Sequence, residues 1–166
     1  MSGHKLTEGI EVFDGTNWIP LTDDNRQPLK IVFEVIEKTN RMADGALRRY
    51  VIARKHKIST SWTSVWSKTS QTTDGGKAGA WMRSFYEANV FVPVQVRVTI
   101  ASETTQNIQA TSTIFQPDET TYASSANSAT YTNNTYNTFI TNFDYEVTKR
   151  NKDFDLVNIS IEFTEI

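Results

Sequence analysis

The chain predicts a mainly β protein, an antiparallel β-sandwich or flattened barrel of about eight strands with one packed α-helix. Three observations predict it. Apolar residues alternate with polar ones over long runs, as at residues 92–100 and 157–163, so single faces of strands are buried. Turn signals such as Asp14-Gly15, "TDDNRQP" and "KRNKD" separate these runs. Only one segment, near residues 76–89, carries apolar residues at helical spacing.

The elements follow in order. "IEVFDGTNWIPL" reads as two short strands around Asp14-Gly15, a strong hairpin signal. Trp18 and Ile19 would cover an edge of the core, with Pro20 at a strand end. Residues 22–28, "TDDNRQP", are turn chemistry. "LKIVFEVIEKT" places Ile31, Phe33 and Val35 on one face and Val32 and Ile36 on the other, which predicts burial on both sides for part of its length. "NRMADG" turns the chain into a return strand carrying Arg48, Arg49, Arg54, Lys55 and Lys57, continued through Trp62 to Trp66.

The helix over residues 76–89 presents Ala78, Trp81, Met82 and Phe85 as one stripe, with Thr73 or Asp74 to cap its start and Asn89 to stop it. A lone amphipathic helix lays such a stripe on a sheet. Val92, Val94, Val96, Val98 and Ile100 then share a strand face. "NIQATSTIF" predicts another strand. In "FITNFDYEV", Phe139, Thr141, Phe143, Tyr145 and Val147 oppose Ile140, Asn142, Asp144 and Glu146. The last strand turns Val157, Ile159, Ile161 and Phe163 to the core.

One stretch fits no compact element. Of residues 120–138, 13 of 19 are Ser, Thr or Asn, and the large side chains are Tyr122, Tyr131 and Tyr136. Long structureless segments in compact domains are usually functional or disordered. Residues 116–138 therefore read as an arm toward a neighbouring subunit, anchored by these tyrosines, which give large contact area at low entropic cost. With the cationic strand residues, they are the candidate subunit-interface residues.

Composition bounds function. The 166 residues predict one domain, with no cysteine for disulfides or thiolate metal sites. The start lacks the apolar run of a signal peptide, and no segment approaches the ~18 apolar residues of a membrane span, so no membrane partner is expected. Residues 1–100 hold 14 Lys/Arg against 10 Asp/Glu, and residues 101–166 hold 3 against 9. Opposite charge at two ends suits head-to-tail stacking of copies. It argues against an overall basic nucleic-acid footprint, although the cationic strand leaves a DNA-binding β-barrel as one reading.

Catalytic and cofactor chemistry is not expected. His4 and His56 have no sequence-evident acid or nucleophile. "DGGK" lacks the spacing of a phosphate loop, and Asp23-Asp24-Asn25 lacks that of a calcium loop. Asp144 and Glu146 share a polar strand face as solvated carboxylates do. Two glycosylation-like triplets, at Asn133 and Asn158, are chance matches in an Asn-rich chain.

Three segments resemble the tail proteins of tailed bacteriophages, the tail-tube-like or minor tail proteins. They are "KTNRMADGALRRYVIARKHKISTSW", "DGGKAGAWMRSFYEANVFVPVQVRV" and "FITNFDYEVTKRNKDFDLVNISIEFTEI". The resemblance implies a virion structural protein assembled in the host cytoplasm, whose subunits close into rings, usually of six. The rings stack with other tail proteins into a conduit for DNA that is not bound sequence-specifically, at the tube, tail tip, baseplate or head–tail joint. On that reading residues 1–25 are an N-terminal extension and residues 26–166 the tail-tube-like domain. A second reading is a carbohydrate-binding or adhesin β-sandwich, with Trp18, Trp62, Trp66 and Tyr131 as stacking candidates.

Overall fold

The computed structural model describes residues 9–103 and 129–166, with side chains placed for residues 9–100 and 134–166. Among these residues, seven strands form one antiparallel sheet: β1 (Ile10–Phe13), β2 (Trp18–Pro20), β3 (Lys30–Arg41), β4 (Leu47–Trp66), β5 (Val94–Glu103), β6 (Ala129–Arg150) and β7 (Asp155–Glu165). Their spatial order is β2-β1-β5-β6-β7-β4-β3, and one helix, α1 (Gly79–Ala88), packs against the sheet. The mainly β expectation with a single helix holds. The sheet is open, because β2 and β3 lie at its two ends without pairing. The expected strand at 107–115 lies outside the described residues.

β6 makes the architecture sandwich-like. Its first part pairs with β5, ending at Val94↔Thr138, and its second part pairs with β7, from Thr138↔Glu165 to Arg150↔Asp155. A strand that changes partners midway is how a sheet turns a corner. Thr138 is the buried pivot, and its hydroxyl donates to the Val94 carbonyl at 2.9 Å. The two halves share one core, with Ile10, Val12, Val96 and Val98 from one side and Ile58, Trp62, Ile159, Ile161 and Phe163 from the other.

β7 is the most strictly patterned strand. Val157, Ile159, Ile161 and Phe163 are all buried, as their alternation predicts. At about 1.5–3 kcal/mol for each large apolar side chain, these four positions form a main stabilising row.

Two bulges correct the sequence reading. In β6 the register shifts between Ile140 and Asn142, so Thr141 is the extra residue. Ile140 therefore faces inward with Phe143, Tyr145 and Val147, while Phe139 turns outward and is exposed. A strict period of two reverses these faces before the bulge, because one inserted residue flips every side chain beyond it. In β4 a shift between Trp62 and Val65 likewise lets both be buried although they are three apart. Ser64 takes a positive φ of 53° there, its amide donating to Asn158 Oδ1 and its carbonyl accepting from Asn25 Nδ2.

Residues 21–29 run from one edge strand to the other and span at most about 30 Å when extended, so the sheet curls until its ends approach. Leu21 bridges Lys77, and Arg26 bridges Trp62. The Trp62 indole, fully buried, donates to the Thr22 carbonyl at 2.7 Å. This strap carries what the turn-rich reading of residues 22–28 left open.

The helix begins later than expected. Ala78 is its N-cap, with no side-chain cap bond, and Asn89 ends it as predicted, donating from Nδ2 to the Phe85 carbonyl. Asp74 caps the strap instead. Its carboxylate accepts from the Asp23 and Gly76 amides at 2.7 and 2.9 Å and from the Thr22 hydroxyl at 3.0 Å. Ala78 and Met82 are buried, and Trp81, Phe85 and Tyr86 pack against the core. Gly79 allows this closeness, since a Cβ there would stand 2.7 Å from Val157 Cγ2.

Residues 10–20 are woven into the sheet. β1 pairs with β5 through Val12↔Val96, and Ile10 and Val12 are buried. Asp14 Oδ1 organises the predicted β1–β2 hairpin by accepting from the Thr16 and Asn17 amides, which holds its pKa below the ordinary range.

Candidate functional site

The feature that departs most from ordinary globular packing is the β3–β4 hairpin. β4 pairs with β7 only from Lys57↔Thr164 onward, so among the described residues, residues 36–53 continue as a two-stranded ribbon without a third strand. Burial on both sides was expected here. Instead Phe33 is 71% and Tyr50 70% exposed, and Val35, Ile36, Leu47, Val51 and Ile52 are exposed too. The β-branched and aromatic residues that predict two-sided burial form a strand, but the described residues supply no covering layer. Isolated two-stranded ribbons are marginal in water, and exposed apolar surface of this kind marks a contact site.

The five cationic candidates sit on this hairpin and split between its faces. Alternation and the register place Arg49 and Arg54 on the inward face with Phe33 and Val35, and Arg48, Lys55 and Lys57 on the other. Lys57 pairs with Glu34 at 3.3 Å, Arg49 pairs with Glu37, and Lys55 donates to the Ile166 carbonyl. Arg48 and Arg54 have no ion pair among the described residues. A split array with three members engaged is not a continuous phosphate-tracking stripe.

His56 anchors the root of the hairpin. Its Nδ1 lies 2.6 Å from Glu165 Oε2, and its ring packs edge-on to Phe33 and tilted against Tyr136, with centroids 5.0 and 4.8 Å away. The partner acid lies 109 residues away, beyond sequence patterning. Tyr136, a candidate interface residue, is thus half-buried within the sheet, and burial with the nearby Glu165 charge raises its pKa. Tyr131 lies in β6 opposite Ala101, its side chain outside the described residues, as is all of Tyr122. Of the expected arm, residues 129–138 are strand, in keeping with their Thr and Tyr content.

Of the strand edges open among the described residues, which include the outer side of β2 and β4 over residues 47–56, two bound the four-strand run β6-β7-β4-β3. One is the outer side of β3, at the end of the sheet. The other is β6 from residue 139 to 150, which has β7 on one side and nothing on the other, because β5 pairing ends at Thr138. Between these edges run β6, β7, β4 and β3. The non-core face of β7 and of the parts of β4 and β6 beside it carries Ser59, Ser61, Asn142, Asp144, Glu146, Asn158, Ser160 and Glu162. The Asn158 and Asn142 amides donate to Glu146 and Asp144.

Beside the open β6 edge stands a feature that sequence patterning missed. Val90, Phe91 and Val92 follow the helix, and Phe91 is 92% exposed. Val90 and Phe91 lie between the helix stop at Asn89 and Pro93 outside any element's period, and Val92, expected on the strand face with Val94, is instead an exposed turn residue because β5 begins only after Pro93.

The aromatic stacking candidates are largely engaged. Trp62 is core, the Arg97 guanidinium lies 4.5 Å over the Trp18 ring, and Trp66 packs edge-on against Phe154. No group of three metal-ligating side chains occurs among the described residues, and no described helix is long and apolar enough to cross a membrane. No protein-family model matches this chain, and no curated protein does.

Proposed function

We propose that the chain is a structural protein of a bacteriophage tail whose copies join edge to edge into a ring that conducts DNA. The pair of open edges carries this reading. β6, β7, β4 and β3 alternate in direction, so β3 of one copy laid against residues 139–150 of an identically oriented copy makes an antiparallel pair. Repeating that step by rotation closes a ring and covers these two edges. The resemblance to tail proteins supports six copies. The β6–β7 part of the outward face carries Asp144, Glu146 and Glu162, while Arg48, Lys55 and Lys57 lie on the outward face of the hairpin, so repulsion of phosphates is confined to the β6–β7 part of such a wall. The projecting hairpin, with its exposed apolar residues and free Arg48, would reach the neighbouring copy or ring.

The test is the solution mass by light scattering, with negative-stain images of the same peak. Rings at a multiple of the 18.9 kDa chain mass are expected. A monomer at every concentration, including with other tail components, would overturn the reading.

A further inference from the structure

Phe91 is held out in a turn fixed at both ends. The Asn89 amide donates to the Phe85 and Tyr86 carbonyls, the Val92 amide reaches back to the Asn89 carbonyl, and past Pro93 the buried Val94 enters β5. A fixed apolar tip loses little freedom on docking. Its position is equally informative. Val94 pairs with Thr138, the residue at which β6 loses its β5 partner, so the tip stands where the open β6 edge begins.

At the far end of the same four-strand run, the inward face of the hairpin exposes Phe33 and Val35, with Arg54 as the register partner of Val35. Arg54 has no ion pair among the described residues. Neither does Glu87, exposed one helical turn before Phe91.

We propose that the 90–92 turn of one copy docks on the Phe33–Val35–Arg54 surface of the next copy, forming a second contact of the ring junction. The proposal rests on the edge-to-edge reading above. When β3 extends a neighbour's sheet at β6, the inward faces of both strands lie on the same side. That is the side on which α1 packs, as Tyr86 stacks on Phe143 at 4.7 Å. The exposed face of β3 therefore meets the end of the neighbour's helix. A phenylalanine buries about 150–250 Å² when fully covered, and the Glu87 and Arg54 charges complement each other across the junction. The contact is heterologous: each copy offers a tip to one neighbour and a surface to the other.

That asymmetry supplies the test. Phe91→Asp and Phe33→Asp alter exposed side chains, and circular dichroism and thermal melting check that each variant folds. Each alone is expected to weaken self-association at least tenfold. Mixed one to one, they are expected to form dimers and nothing larger, because one intact junction remains per pair. Glu87→Lys and Arg54→Glu are each expected to weaken assembly, and the double variant to recover it. If the Phe91→Asp chain forms rings like the wild type, or the mixture gives no dimers, this contact is wrong while the ring reading stands. A wild-type chain that never associates overturns both.

Discussion

At the scale of single residues, the strap over Trp62 is the most constrained place in the molecule. Gly76 packs so closely that a Cβ would stand 2.6 Å from Thr22 Cα and 2.7 Å from its nitrogen. Backbone cannot yield as a side-chain end does, so Gly76→Ala is expected to cost about 1–3 kcal/mol, read from the shift of a urea unfolding midpoint. Asp74 ties the same strap. Burial acts to raise its pKa, but the Asp23 and Gly76 amides and the Thr22 hydroxyl outweigh it, and the net direction is down. A depressed carboxylate stabilises the fold above its ordinary titration range, about 3.9, and loses that contribution as the pH falls through the lower folded value. Asp74→Asn is therefore expected to cost roughly 1 kcal/mol at neutral pH, discounted for solvent exposure, and to make the acid limb of a stability–pH profile shallower. An unchanged acid limb would show that the amide bonds to Asp74 add nothing.

Among elements, the hairpin and β6 divide two tasks. β6 joins the halves of the fold by turning at Thr138, and its loss would open the core. The hairpin beyond Ile36 contributes no fully buried residue. Replacing residues 38–50 with a tight turn is expected to leave monomer stability within about 1 kcal/mol, since exposed positions rarely carry more, and to abolish ring formation. Thermal melting and light scattering on the same sample separate the two effects. A large loss of stability would mean that the ribbon supports the fold rather than the assembly.

For the whole molecule, the proposed ring would turn an open sheet from a liability into a connector. The expected charge asymmetry takes a more local form, with cations concentrated on the hairpin and carboxylates on the polar face of β6 and β7. Much of this organisation was legible beforehand. The alternation at residues 157–163 placed a buried strand row, the spacing of Ala78, Trp81, Met82 and Phe85 placed the helix stripe, and Asp14-Gly15 placed a hairpin, because each follows from local periodicity or turn chemistry. Tertiary structure decided the rest. Whether a two-faced apolar strand is buried depends on what lies beside it, and among the described residues Phe33 and Tyr50 stay mostly exposed. Which way Phe139 points depends on one extra residue at Thr141. The His56–Glu165 pair, the strap bond from Trp62 to Thr22 and the two open edges join residues far apart in the chain. Sequence period specifies which face of an element is apolar, and only the packed neighbours determine whether that face is covered.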